Sequence, residues 1–167
     1  YRPDADRLRE EGIYPDESYS IVQFPSDEAA EAGVPSATTR RLLRSYLDDH
    51  GTHYHLARDG TVCDPVAGRV VAPSSVIHDV LGCADLFVGT EPRPANEAAL
   101  LGTPSVLTVS PSSADVTELE RHGLLDVVTD ETVLLERVFD LVPNPASGGV
   151  WRQRRDNYLS GCVDVTD

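Results

Sequence analysis

Apolar residues in this chain gather into short unbroken runs, separated by longer stretches with helical spacing. Residues 20–24, 52–57, 69–72, 86–88, 105–109 and 125–128 read as strands. Leu86-Phe87-Val88 is the clearest, with no alternation, as a strand buried on both faces requires. Between the strands, residues 38–49 set Leu42, Leu43, Tyr46 and Leu47 at helical spacing; Ser36 or Thr38 caps that helix and Gly51 closes it. Residues 74–84 put Val76, Ile77, Val80 and Leu81 on one face. Residues 117–122 form a short helix ending at Gly123, and residues 130–141 turn Val133, Leu134, Val138 and Leu141 inward. Residues 151–159 are polar and arginine-rich, with Trp151 docked on the body. This alternation predicts an α/β fold: a doubly wound, mainly parallel, Rossmann-like sheet of five or six strands with helices on both faces.

Two regions are less regular. The connection at 59–68 is short for a parallel crossover, which usually takes about a dozen residues or more. It reads as a degenerate crossover; the alternative is a small extra strand at 61–63. Residues 1–19 are polar and punctuated by Pro3, Gly12 and Pro15, with a short helix at 6–11, and read as an entry linker rather than a core element. The expected organisation is a linker at 1–19, a domain at 20–142, and a C-terminal turn and packing helix at 143–167. The stretch 26–36 reads as an acidic, alanine-rich loop.

The chemistry concentrates in residues 85–109, DLFVGTEPRPANEAALLGTPSVLTV. It parses as strand, loop, short helix, turn, strand. Pro92 and Pro94 assign residues 91–94 to loop, the helix covers 96–101, and Gly102 follows as its C-cap. The loop leaves the carboxyl end of a strand, where open α/β sheets bind ligands.

The run GT-x6-EAALLGTP resembles the C-terminal half of the glycosyltransferase B superfamily. That group includes nucleotide-sugar glycosyltransferases and UDP-N-acetylglucosamine 2-epimerases. The chain is most similar to an uncharacterised, largely archaeal glycosyltransferase-like family, which Tyr1-Arg2-Pro3-Asp4 and Asp164-Val165-Thr166-Asp167 also resemble. The resemblance implies a UDP-linked nucleotide-sugar ligand held in a cleft between this domain and a preceding N-terminal Rossmann-like domain. It places an acid at Glu97 to accept the ribose hydroxyls and a nucleobase near Ser74 and Ser75. The loop of Ser110 and Ser112 would face the sugar or phosphate. It names no cofactor.

The loop departs from the family pattern. Relatives have glycines there, so that backbone amides approach a pyrophosphate. Here Gly89 is followed by Thr90, Glu91, Pro92, Arg93 and Pro94: two donors are gone, a negative charge is added, and Arg93 compensates in part. The expected ligand-binding set is therefore Gly89, Thr90, Arg93, Asn96, Glu97, Ser74, Ser75 and Ser110. The competing readings are a plain sheet loop, Asn96 and the serines as helix caps, and Glu97 as an acid favoured by the helix dipole. His78 is a residue type suited to acid–base work but reads as surface or packing. His53 and His55 share a strand face, yet no third ligand is visible, so no metal is expected. No P-loop, GxGxxG or G-x-S-x-G motif occurs, and no catalytic base is assigned.

Composition adds three constraints. The 167 residues suit one domain with a full core; the absence of methionine is expected of part of a longer protein. All 14 basic residues are arginine against 28 acids, giving a net charge of −14. That balance argues against nucleic-acid or anionic-membrane binding, and suggests a high-salt, halophilic setting. Cys63, Cys83 and Cys162 are widely spaced, which suggests neither a zinc site nor a disulfide framework and fits a reduced cytoplasmic location. No stretch is apolar enough for a membrane span. The expected function is the nucleotide-diphosphate-sugar-binding half of a glycosyltransferase-like or epimerase-like protein. The alternatives are a non-catalytic binding or assembly module that keeps the fold but has lost the phosphate loop, and an unrelated flavodoxin-like domain.

Overall fold

The computed structural model describes residues 2–25, 33–109, 113–142 and 146–166. Its centre is a seven-stranded sheet in the order β4-β3-β2-β1-β5-β6-β7. The strands are β1 (Tyr19–Gln23), β2 (Thr52–Leu56), β3 (Val62–Cys63), β4 (Val70–Ala72), β5 (Leu86–Gly89), β6 (Ser105–Leu107) and β7 (Asp126–Val127). β1 pairs parallel with both β2 and β5, and β6 and β7 continue in parallel. All six predicted strands lie in this one sheet. Residues 62–63 form a further strand, antiparallel to β2 and to β4. The degenerate crossover is therefore corrected to a meander, because two tight turns need far fewer residues than a helix.

Neighbouring residues within a strand serve opposite faces. Ile21 and Phe87 pack with Leu8 of α1 (Ala5–Glu10), Val80 and Leu81 of α3 (Ile77–Cys83), Ala95, Ala98 and Ala99 of α4 (Pro92–Leu100), and Val116 and Leu119 of α5 (Ala114–Arg121). Val22, Leu86, Val88 and Val106 face the other way, against Leu43 and Leu47 of α2 (Ala37–Asp49) and Leu134 and Val138 of α6 (Glu131–Leu141). The sheet is thus doubly wound with both faces covered. α2 is N-capped by Ser36, as its sequence suggests, but Leu42 lies on its solvent side.

Three expectations change. The 1–19 segment is a core contributor: Leu8 and Ile13 are fully buried, and Asp4 N donates to Asp79 Oδ1 at 2.7 Å. Helix α4 begins at Pro92 rather than 96, because proline is compatible with a first helical turn whose amides have no intrahelical acceptor. The last helix, α7 (Ala146–Thr166), is longer than 151–159. Trp151 is docked as expected, with Nε1 donating to Leu124 O at 2.8 Å.

Candidate functional site

The chain leaves β1 in one direction, toward β2, and later builds outward from β5 in the other. The carboxyl ends of β1 and β5 therefore form the switch point of the sheet, where such folds leave a crevice. Gln23 ends β1 there, in register with Gly89 at the end of β5. Its side-chain Oε1 accepts hydrogen bonds from the amides of Thr90 (2.9 Å) and Glu91 (2.8 Å), and from Thr90 Oγ1 at 3.4 Å. The Thr90 amide also donates to Gln23 O at 3.2 Å. Gln23 is 4 % exposed. A Cβ on Gly89 would stand 2.7 Å from both Gln23 O and Gln23 Oε1. Gly89 thus allows close approach, but what approaches is the Gln23 carboxamide.

Helix α4 starts immediately beyond. Of the positions from Glu91 to Pro94, two are proline and the Glu91 amide is taken by Gln23. Only the Arg93 amide remains as a first-turn donor free of these constraints. The Glu91 carboxylate lies 3.7 Å from Arg58 Nε. Arg93 points to solvent and reaches back to Glu97 Oε1 at 3.3 Å. Glu97 belongs to the second helical turn, not the first. Its other oxygen, Oε2, is 3.6 Å from His78 Nε2 of α3. The dipole argument for an acid in the first turn therefore does not apply to it. Asn96 does not cap α4, since Glu91 holds the cap position. Its Oδ1 is buried without a hydrogen-bond partner among the described residues.

The structure therefore forms two groups. Gly89 and Thr90 gather around Gln23, and Arg93 and Glu97 gather with His78. Ser74 and Ser75 are exposed on a 3-10 turn (Ser74–Val76) leading into α3; Pro73 holds its cap position, and no side chain caps it. Ser110 and Ser112 lie outside the described residues. Gln23 was missed in the sequence. Its only signal there is a polar residue closing an apolar strand, and its partners lie 67 and 68 residues away. His78, read as surface or packing, is exposed but within ion-pair range of Glu97.

Other candidate groups are committed elsewhere. His53 Nδ1 is 2.6 Å from Asp48 Oδ1, and among the described residues no set of three or more His, Cys, Asp or Glu is arranged to hold a metal. A cleft of about 590 Å³ opens at the amino ends of the strands, opposite the switch point, with His50, Cys83, Asp85 and Arg152 in its lining. Burial pushes the Asp85 carboxyl up, against opposing bonds from Ser18 and Tyr19. Burial and then Asp79 push the Cys83 thiol up, which disfavours a reactive thiolate. Among the described residues no helix is long and apolar enough to cross a membrane.

No family model and no curated protein matches the chain. Among solved structures it is similar to one titled "Crystal Structure Analysis of the Glycotransferase of kitacinnamycin". The TM-score is 0.52 at 18% identity, over 84% of this chain and 38% of that one. The chain thus spans about two-fifths of that glycotransferase, and at this identity the likeness is one of fold. The arrangement of sheet and helices is Rossmann-like.

Proposed function

We propose that this chain is a glycosyltransferase B-like half-domain whose phosphate cradle has become an internal cap, leaving a non-catalytic binding or assembly module. The Gln23 carboxamide on the Thr90 and Glu91 amides carries this reading. A diphosphate at this loop needs those donors. Binding would require displacing a buried, well-bonded side chain and accepting the Glu91 carboxylate nearby. In this reading the partner is a preceding N-terminal Rossmann-like domain, in a cytoplasmic protein.

One observation favours a second reading, that of a UDP-linked nucleotide-sugar site in a glycosyltransferase-like or epimerase-like enzyme. Glu97 keeps a side chain only 28% exposed, on the helix that follows the switch-point loop. A carboxylate there can accept two ribose hydroxyls once Arg93 and His78 yield. Calorimetry with UDP, UDP-N-acetylglucosamine and inorganic pyrophosphate separates the readings. The module reading expects neither nucleotide to bind more tightly than pyrophosphate. A UDP-sugar bound about tenfold tighter than pyrophosphate, with that advantage lost in Glu97→Gln, would replace it with the second reading.

A further inference from the structure

The outward face of α2 carries charge in an order that the helix itself disfavours. Arg41 and Arg44 come first, and Asp48 and Asp49 occupy the last turn; the first turn holds no acid and the last turn no base. The helix dipole favours the reverse, acids at the start and cations at the end. Arg41, Ser45 and Asp49 stand four residues apart, so they share one face. All three are exposed, and so is Leu42 beside them, at 52%. The face is grooved: a trough of about 400 Å³ is lined by residues of α2 alone, from Ala37 to Asp49. Neither Arg41 nor Asp49 forms an ion pair or a side-chain hydrogen bond with a described residue. Asp48 is engaged by His53 Nδ1 at 2.6 Å, so Arg41 and Asp49 carry the outward charge.

We propose that this face is a dimer interface, on which α2 of a second copy of the chain packs antiparallel with Ser45 at the two-fold axis. A two-fold contact must be self-complementary. Arg41 and Asp49 lie equally far before and after Ser45, so each copy sets its Arg41 against the acidic last turn of the other. The same arginine–aspartate contact therefore forms twice. The antiparallel partner also brings the positive start of its helix beside Asp49, which reverses the unfavourable dipole term of the lone helix. Ser45 is small, so the ridges of the two helices can interlock where they cross. Leu42 supplies apolar area beside the charges, together with Phe139 of α6, whose ring lies 4.2 Å from that of Tyr46. One helix pair is below the standard interface size, so the dimer is a weak one. The proposal does not depend on which nucleotide reading holds at the switch point.

Sedimentation equilibrium from about 1 μM to about 1 mM protein provides the test, a range that covers weak association. It is run in about 1 M potassium chloride, where a Debye length of about 3 Å screens two bodies of charge −14 from each other but not charges in contact. The expected result is a monomer–dimer equilibrium. Arg41→Glu and Asp49→Arg should each weaken it by about tenfold or more, since symmetry repeats the reversed contact. The double variant restores opposite charges across the axis and should recover most of the loss. Ser45→Trp, a block on the axis, should abolish the dimer, and Arg121→Glu, on α5, should leave it unchanged. Circular dichroism establishes that each variant is folded. Should one reversal fail to fold, the other reversal and Ser45→Trp decide the matter. A chain that stays monomeric up to about 1 mM would overturn the proposal and leave the face to a different protein. A dimer indifferent to Ser45→Trp and to the reversals, or a double variant no better than the single ones, would overturn it as well.

Discussion

Gln23 is a neutral residue at the switch point of the sheet, where open α/β folds bind ligands. Its carboxamide oxygen is the acceptor for the Glu91 amide and shares the Thr90 amide with the Gln23 backbone oxygen, in a pocket that Gly89 keeps open. Gln23→Leu keeps the approximate volume and removes the acceptor. It should destabilise the fold by about 1–3 kcal/mol, the cost of leaving buried polar groups unpaired; urea melts check this. Gly89→Ala should be worse and not rescued by shortening Gln23, because the added Cβ also meets the Gln23 backbone oxygen. A parent-like midpoint for either variant would remove the internal cap. His55 gives a pH prediction of definite sign. Its folded pKa lies below 6.5, first from burial and then from Arg44 and His53, the latter bonded to Asp48. As pH falls through 6.5, the unfolded chain takes up a proton before the folded one does. The contribution of His55 is therefore intact above 6.5 and lost as pH drops toward the folded value. His55→Gln should flatten the stability profile in that window. Gln23 was illegible in the sequence for a physical reason: its hydrogen bonds depend on β1 lying beside β5, a fact of topology rather than of local pattern.

At the scale of elements, α7 works as a clasp across helix ends. Trp151 donates to Leu124 O, Arg154 to Gly123 O at 3.0 Å, and Arg155 to Leu101 O at 2.9 Å. The last two acceptors lie at the C-termini of α5 and α4, where unpaired carbonyls and the helix dipole favour cations. Arg154 also stacks 5.0 Å from the Trp151 ring. Trp151→Phe keeps most of the ring but orphans the buried Leu124 carbonyl, so it should cost about 1–3 kcal/mol. A thermal melt with an unchanged midpoint would show that water replaces the indole. The docking of Trp151 was legible because a lone tryptophan in a polar helix has to be covered. The main strands were legible because Leu86-Phe87-Val88 and Ile21-Val22 each feed two cores and so show no polar side. β3 was not: it is two residues long and held by its neighbours rather than by its own pattern. The start of α4 was misplaced because proline breaks a helix interior but opens a helix readily, and the difference lies in position, not composition. Leu8 and Ile13 were hidden because two apolar residues in a polar stretch show no periodicity until α1 meets α3.

For the whole molecule, charge is the governing quantity. A net charge of −14 on 167 residues, with arginine as the sole strong base, makes the compact state repel itself. Several of the ion pairs present are exposed, such as Arg9 with Asp6 and with Asp16, and these add little in water. They cannot offset the surplus of acids, so screening by mobile ions must. The Debye length falls from about 10 Å at 0.1 M salt to about 3 Å at 1 M, shorter than typical spacings between surface carboxylates. The thermal midpoint should therefore climb through the molar range of potassium chloride rather than level off near physiological ionic strength. A midpoint flat from low to molar chloride would show that the acids are too well dispersed, or too well solvated, to repel one another.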